Sequence, residues 1–133
     1  MEYGDYSVTA AEITEFAEKY DPQPFHVDEQ AAEASMFGGL IASGWHTTAI
    51  WMRMTVDSLF SEWVALGSPG VDNIRWRRPT RPGQTLSAHT TVVDKSVETD
   101  SRGLVDVDTE VRTGEGEVLM TMTAHVMVKR KQT

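Results

Sequence analysis

Asp21 and His26 are separated by Pro22-Gln23-Pro24-Phe25, and the two prolines in that short span hold a carboxylate and an imidazole on a stiff, irregular arch. Rigid placement of such a pair is what general acid–base catalysis needs. The same residue types also suit a structural role, in which Asp21 ends one helix and His26 packs beneath the next. Taken alone, the pair does not separate these readings.

A second candidate is Gly39-Leu40-Ile41-Ala42-Ser43-Gly44. Its glycine spacing is that of a phosphate-cradling loop, but Trp45 and His46 follow where Lys and Ser or Thr must stand, so that mechanism is excluded. No glycine lies two residues before Ser43, which excludes a nucleophile elbow. What remains is a glycine opening a helix. Its N–H would be free, a ligand could approach its backbone closely, and the helix dipole would favour negative charge there. That describes an oxyanion hole for a carbonyl becoming enolate-like. A merely tight helix entry would ask for the same Gly44.

The remaining polar residues are less specific. His46, His89 and His125 lack any H-x-x-x-H or H-E-x-x-H spacing, so no metal site and no cofactor is expected. Arg75, Arg77, Arg78 and Arg81 gather beside Trp76, either to meet an anionic ligand or as a solvated strand face.

These candidates need elements to place them. Thr9-Ala10-Ala11-Glu12 has capping-box form, and Ile13, Phe16, Ala17 and Tyr20 recur at helical spacing, which predicts a helix over 9–20 that stops near Asp21. Asp28 starts a short helix through Ala34, broken by Gly38-Gly39. From Ser43 to about Trp63 almost no polar face remains, which predicts a long buried helix. Arg53, Asp57 and interior Thr and Ser argue against a membrane span. Gly67-Ser68-Pro69-Gly70 reads as a closing loop. Strands follow over 71–79, 84–97, 104–113 and 117–128. Val105, Val107, Thr109 and Val111 alternate with acidic residues, and Gly114-Glu115-Gly116 supplies a hairpin turn. The layout is α+β in one domain over 1–133: helices first, then an antiparallel sheet to wrap the long one.

Composition bounds the function. The chain has 133 residues, of which 40% are hydrophobic, enough for one modest core. With 20 acidic against 12 basic side chains its net charge is −8, which opposes general nucleic-acid binding. The absence of cysteine removes disulfides, thiolate metal sites and a cysteine nucleophile, and fits a reducing cytoplasm. The start Met1-Glu2-Tyr3-Gly4-Asp5 is acidic where an export signal is basic, so a cytoplasmic protein without membrane contact is expected.

Together these segments resemble the MaoC-like dehydratases, the (R)-specific enoyl-CoA hydratase family of the hotdog fold. Asp21-Pro22-Gln23-Pro24-Phe25-His26 with Asp28 resembles the family's D-x-N-P-x-H motif and its following acid, with Gln23 in place of Asn. Phe37 through Gly44 resembles F-G-G-x-I-A-H-G, with Ser43 in place of a frequent His. Arg78-Pro79-Thr80-Arg81-Pro82-Gly83-Gln84-Thr85-Leu86 resembles R-P-V-R-P-G-D-T-L.

The resemblance implies a central helix wrapped by a sheet, a homodimer or an oligomer of dimers, and an acyl-CoA-like thioester as substrate. It makes Asp21 and His26 the catalytic pair acting on one water. Gly44, with Ser43 and Gln23, becomes the oxyanion and substrate-binding group. Trp45 and Met52 become acyl-pocket candidates, and Arg77 and Arg78 candidates for the CoA phosphates. The expected reaction is hydration of an enoyl thioester, or its reverse. Alternatives from other classes are a non-catalytic acyl-binding or partner-stabilising hotdog subunit and a hotdog thioesterase, for which the long helix offers only Asp57.

Overall fold

The computed structural model describes residues 1–130 and builds a five-stranded antiparallel sheet around one principal helix. In chain order the elements are β1 (Glu2–Ser7), α1 (Ala10–Tyr20), α2 (Pro24–Val27), α3 (Glu29–Glu33), α4 (Gly44–Ser58), β2 (Ala65–Trp76), β3 (Thr85–Val97), β4 (Arg102–Thr113) and β5 (Val118–Lys129). The strand order is β1-β3-β4-β5-β2, so the first two strands in sequence form the two edges. This is the expected hotdog arrangement.

The long strands follow the alternation in their sequences. Leu86 and Ala88 of β3, Val107 and Val111 of β4, and Met120, Met122 and Ala124 of β5 turn inward against Ile50, Trp51 and Met54 of α4. Threonines share that inward face because they satisfy a buried donor. The Trp51 Nε1–H donates to Thr109 Oγ1 at 3.0 Å, and Thr109 in turn meets Thr90 at 2.9 Å.

Four expectations need correction. α4 ends at Ser58 and is not buried all round, because Trp45, Met52 and Val56 remain exposed on its outer face. The segment 24–27 is one helical turn rather than irregular, since Pro24 takes the first helical position, where its missing N–H costs nothing. The supposed loop Gly67–Gly70 lies within β2, an edge strand whose register shifts repeatedly against β5. An edge tolerates Pro69 and such bulges, because only one side must donate to the ladder. Finally, β1 was not anticipated. It pairs with β3 through an irregularity between Gly4 and Tyr6, where Gly4 and Asp5 both have positive φ.

Among the described residues no helix is long and apolar enough to cross a membrane.

Candidate active site

Asp21 caps the C-terminus of α1, its N–H bonded to the Ala17 carbonyl at 2.8 Å. The chain then turns through Pro22 and Gln23 into α2, which carries His26 inward until the residue is only 5% exposed. His26 Nδ1 lies 2.7 Å from the Ile41 carbonyl. A carbonyl can only accept, so Nδ1 carries a proton and the ring is turned with Nε2 toward Asp21. That Nε2 sits 3.3 Å from Asp21 Oδ2. The other carboxylate oxygen, Oδ1, accepts from the Gln23 amide at 2.6 Å. Burial alone would push the Asp21 carboxyl up. Gln23, the Ser43 hydroxyl and the His26 ring together outweigh it and hold the group below its ordinary value, so Asp21 is ionised at neutral pH.

Three segments are stitched together around this pair. Ile41 N–H donates to the Phe25 carbonyl at 3.2 Å and Ala42 N–H to the Thr80 carbonyl at 2.8 Å. Thr47 of α4 meets Thr80 side chain to side chain at 2.8 Å. Arg81 reaches back to the Phe37 carbonyl at 2.7 Å, which fastens the loop before α4 to the turn before β3. These bonds explain why motifs far apart in sequence serve one place.

The result is a cleft of about 350 Å³. His26 lies in its wall with Phe25, Phe37 and Ile41, Gly44 and Thr47 supply the start of α4, and Trp76, Arg77 and Arg78 close it from the end of β2 onward. A larger hollow of about 870 Å³ at the far end of α4 is lined by Trp63, Val92, Val105 and Val128 and contains no carboxylate–imidazole pair.

Gly44 is the first residue of α4, so no carbonyl within the helix can reach its N–H. It also has a packing reason to be glycine. A Cβ there would overlap the indole of Trp76, which is held by Thr48 at 3.2 Å and by an edge contact with Trp45. Sequence reasoning did not single out Trp76 for this contact, nor the Ile41 carbonyl, because neither role leaves a pattern in the chain.

The other candidates divide. Arg77 and Arg78 do border the cleft, but Arg78 already pairs with Glu117 at 3.1 Å, while Arg77 Nε donates to Thr121 at 3.2 Å. Ser43 is fully buried as the N-cap of α4, its hydroxyl accepting from Trp45 N–H, and faces Asp21 rather than the cleft. The Gln23 amide is likewise turned to Asp21. Trp45 and Met52 do not line the cleft, since they project from the exposed side of α4. Asp57 lies on that side too, paired with Arg53 at 2.8 Å. His125 bridges Asp106 and Asp72 at 2.6 and 2.7 Å, and no group of three or more His, Asp or Glu suited to a metal ion occurs among the described residues.

A carboxylate–imidazole pair at the other end of α1 was missed. His46 Nε2 lies 2.9 Å from Glu12 Oε1, which also accepts from the Tyr6 hydroxyl at 2.7 Å. The Thr9 side chain caps the Glu12 N–H as expected, but the Glu12 carboxylate turns to these partners.

Comparison with known proteins bears on the family and the fold. The MaoC like domain family matches residues 2–115. A MaoC-like dehydratase from Rhodospirillum rubrum is 40% identical, with a TM-score of 0.91 over 99% of this chain and 91% of its own. A monoamine oxidase regulatory protein from Archaeoglobus is 28% identical, with a TM-score of 0.84 over 99% and 89%. An (R)-hydratase from A. caviae involved in PHA biosynthesis shares the fold at 22% identity, with a TM-score of 0.75 over 95% and 92%. With the family match spanning most of its length and a solved relative at 40% identity sharing its fold, the chain belongs to the MaoC-like dehydratase family.

Proposed function

We propose that the protein adds water across the C2–C3 double bond of an enoyl thioester, and catalyses the reverse dehydration, with Asp21 and His26 as the acid–base pair. The observation that carries this reading is the orientation of the His26 ring. With Nδ1–H held by Ile41, Nε2 is turned to Asp21 Oδ2 at 3.3 Å, so a ring nitrogen and a carboxylate oxygen flank one point. Side by side, the two groups can hold a single water and share its proton.

The chemistry then follows. The water oxygen bonds to C3 as one of its protons passes to the pair, and the π electrons move toward the thioester carbonyl. Its oxygen gains charge and accepts the Gly44 N–H at the positive end of α4. C2 next takes a proton from the pair and the carbonyl re-forms, so that H and OH have been added. The pair titrates as a unit, and the transferred proton belongs to both groups. Gln23 and Ser43 act on Asp21 rather than on substrate. Arg77, the less committed of the two rim arginines, is the stronger contact for a phosphate of the CoA or phosphopantetheine handle.

The outer edge of β2 and the exposed Trp45, Met52 and Val56 of α4 support assembly with a second copy, which would pair the edge and cover the apolar side chains. In such an assembly Trp45 and Met52 regain a role beside the acyl group.

The test is to incubate the protein with crotonyl-CoA and longer enoyl-CoA substrates, following enoyl absorbance and free thiol together. Absorbance loss that vanishes in Asp21→Ala and His26→Ala, giving the R-3-hydroxyacyl product, is the expected result. Thiol release would mean a thioesterase. Silence in both channels would mean an acyl-binding subunit, and the S product would sink the assignment.

A further inference from the structure

We propose that Glu12 and His46 form a positioning brace that fixes the first turn of α1 against the entry of α4, and through the rigid helix sets where Asp21 stands at its other end. This rests on the reading of Asp21 and His26 as the hydrating pair.

Asp21 must meet groups from two other segments, His26 on α2 and Ser43 at the cap of α4. Nothing in the α1 backbone beyond its own cap sets that distance. The connection comes from side chains. His46, in the first turn of α4, directs Nε2 to Glu12 Oε1 at 2.9 Å, and the Tyr6 hydroxyl of β1 donates to the same oxygen at 2.7 Å. One turn further along α1, Phe16 lies flat on the His46 imidazole, with ring centroids 4.6 Å apart and planes at 8°. Glu12 thus joins β1, α1 and α4 at one atom, and the stack prevents the imidazole from turning.

The arrangement is a costly way to hold two helices together. Since Nε2–H donates to Glu12, Nδ1 is an acceptor, and it is buried with no hydrogen-bond partner among the described residues. An apolar residue at position 46 would avoid that orphan, but apolar contacts let helices slide, whereas a directional bond between buried groups selects one register. The register selected here is the one that brings the Asp21 end of α1 to Ser43, three residues before the brace's foothold at His46.

The experiment compares three variants of the full chain on crotonyl-CoA. Glu12→Ala removes the acceptor and is expected to lower kcat about tenfold with KM little changed, as misplacement of a catalytic group by a fraction of an ångström does. Glu12→Gln keeps an oxygen for His46 and Tyr6 and should stay within about threefold of the unmodified chain, since a neutral acceptor preserves the geometry. Thr9→Ala weakens α1 by removing the cap on the Glu12 N–H while leaving the Glu12 carboxylate both its partners, so it should lower Tm while leaving kcat intact. A Glu12→Ala protein with full kcat overturns the brace. So does a Thr9→Ala protein that loses as much kcat for the same loss of Tm.

Should the chain hydrate no enoyl thioester, the hydratase reading fails while the brace remains testable by the NMR chemical shifts of the Asp21 and His26 side chains. Shifts displaced in Glu12→Ala but not in Thr9→Ala uphold the brace, and identical shifts in all the proteins reject it.

Discussion

Two carboxylate–imidazole pairs stand at opposite ends of α1, and by distance alone they would be ranked the wrong way round. Glu12 and His46 are 2.9 Å apart, Asp21 and His26 3.3 Å. In the tighter pair the imidazole is stacked on Phe16 and donates its Nε2 proton to the carboxylate, and its other nitrogen is an orphan. In the looser pair Nδ1 is committed to the Ile41 carbonyl, and the imidazole lies in the wall of a cleft that also holds Gly44. What separates the candidate catalytic pair from the structural one here is that the backbone fixes one ring nitrogen and the other is turned to the carboxylate, whereas the His46 ring is held by its carboxylate alone.

The largest effect that tests this contrast is removal of the catalytic groups. Asp21→Asn or His26→Gln should lower kcat/KM on an enoyl thioester by about 10²–10⁴, the usual worth of a positioned acid–base group. Equal losses from Glu12→Gln would break the comparison, because Gln preserves everything the second pair needs. Next in size is Gly44→Ala. The methyl would press into the Trp76 indole, tilting the first turn of α4 away from the cleft, and kcat should fall by about 10²-fold, as for loss of an oxyanion donor. Pairing it with Trp76→Ala relieves the overlap. Recovery of activity in the double variant would show that the glycine is demanded by the indole, and continued loss that close approach of substrate to the backbone also needs it.

How much of this could be read in the chain follows the same division. Asp21, His26 and Gly44 were legible because their chemistry is written locally, between prolines and at a helix entry. Glu12 and His46 are 34 positions apart on different helices, and no periodicity links them. Glu12 even had an alternative use as a capping-box acid, which hid it. β1 was invisible because its irregularity at Gly4-Asp5 spaces Tyr3 and Tyr6 three apart, so the half-buried tyrosines never alternate. β2 was half visible, since Gly67-Ser68-Pro69-Gly70 has the composition of a turn and only pairing with β5 along one edge makes it a strand. Apolarity placed α4 at the centre but could not say that the side bearing Trp45 and Met52 faces outward. Side-chain direction around a helix is decided by what packs against it, and that information lies in the strands.

The smallest effect separates the pairs by acidity. Burial outweighs the Glu12 partner and holds His46 below its ordinary value of 6.5, so the folded protein resists a proton that the unfolded chain accepts. Its contribution to stability is therefore full above pH 6.5 and is lost as the pH falls from there toward the folded value. Asp21 is also held below its ordinary value, which is 3.8, so its contribution is full above that pH and lost only as the pH falls through the lower folded value. The two pairs should thus fail in separate windows of an acid titration followed by Tm. His46→Phe keeps the ring stack on Phe16, removes the titrating group and should flatten the decline that begins at 6.5. Asp21→Asn should leave that decline in place and flatten only the part below 3.8. If His46→Phe instead left the upper window unchanged, the buried imidazole would not be resisting its proton. The second pair would then be an ordinary ion pair, and the contrast between the two ends of α1 would rest on the cleft alone.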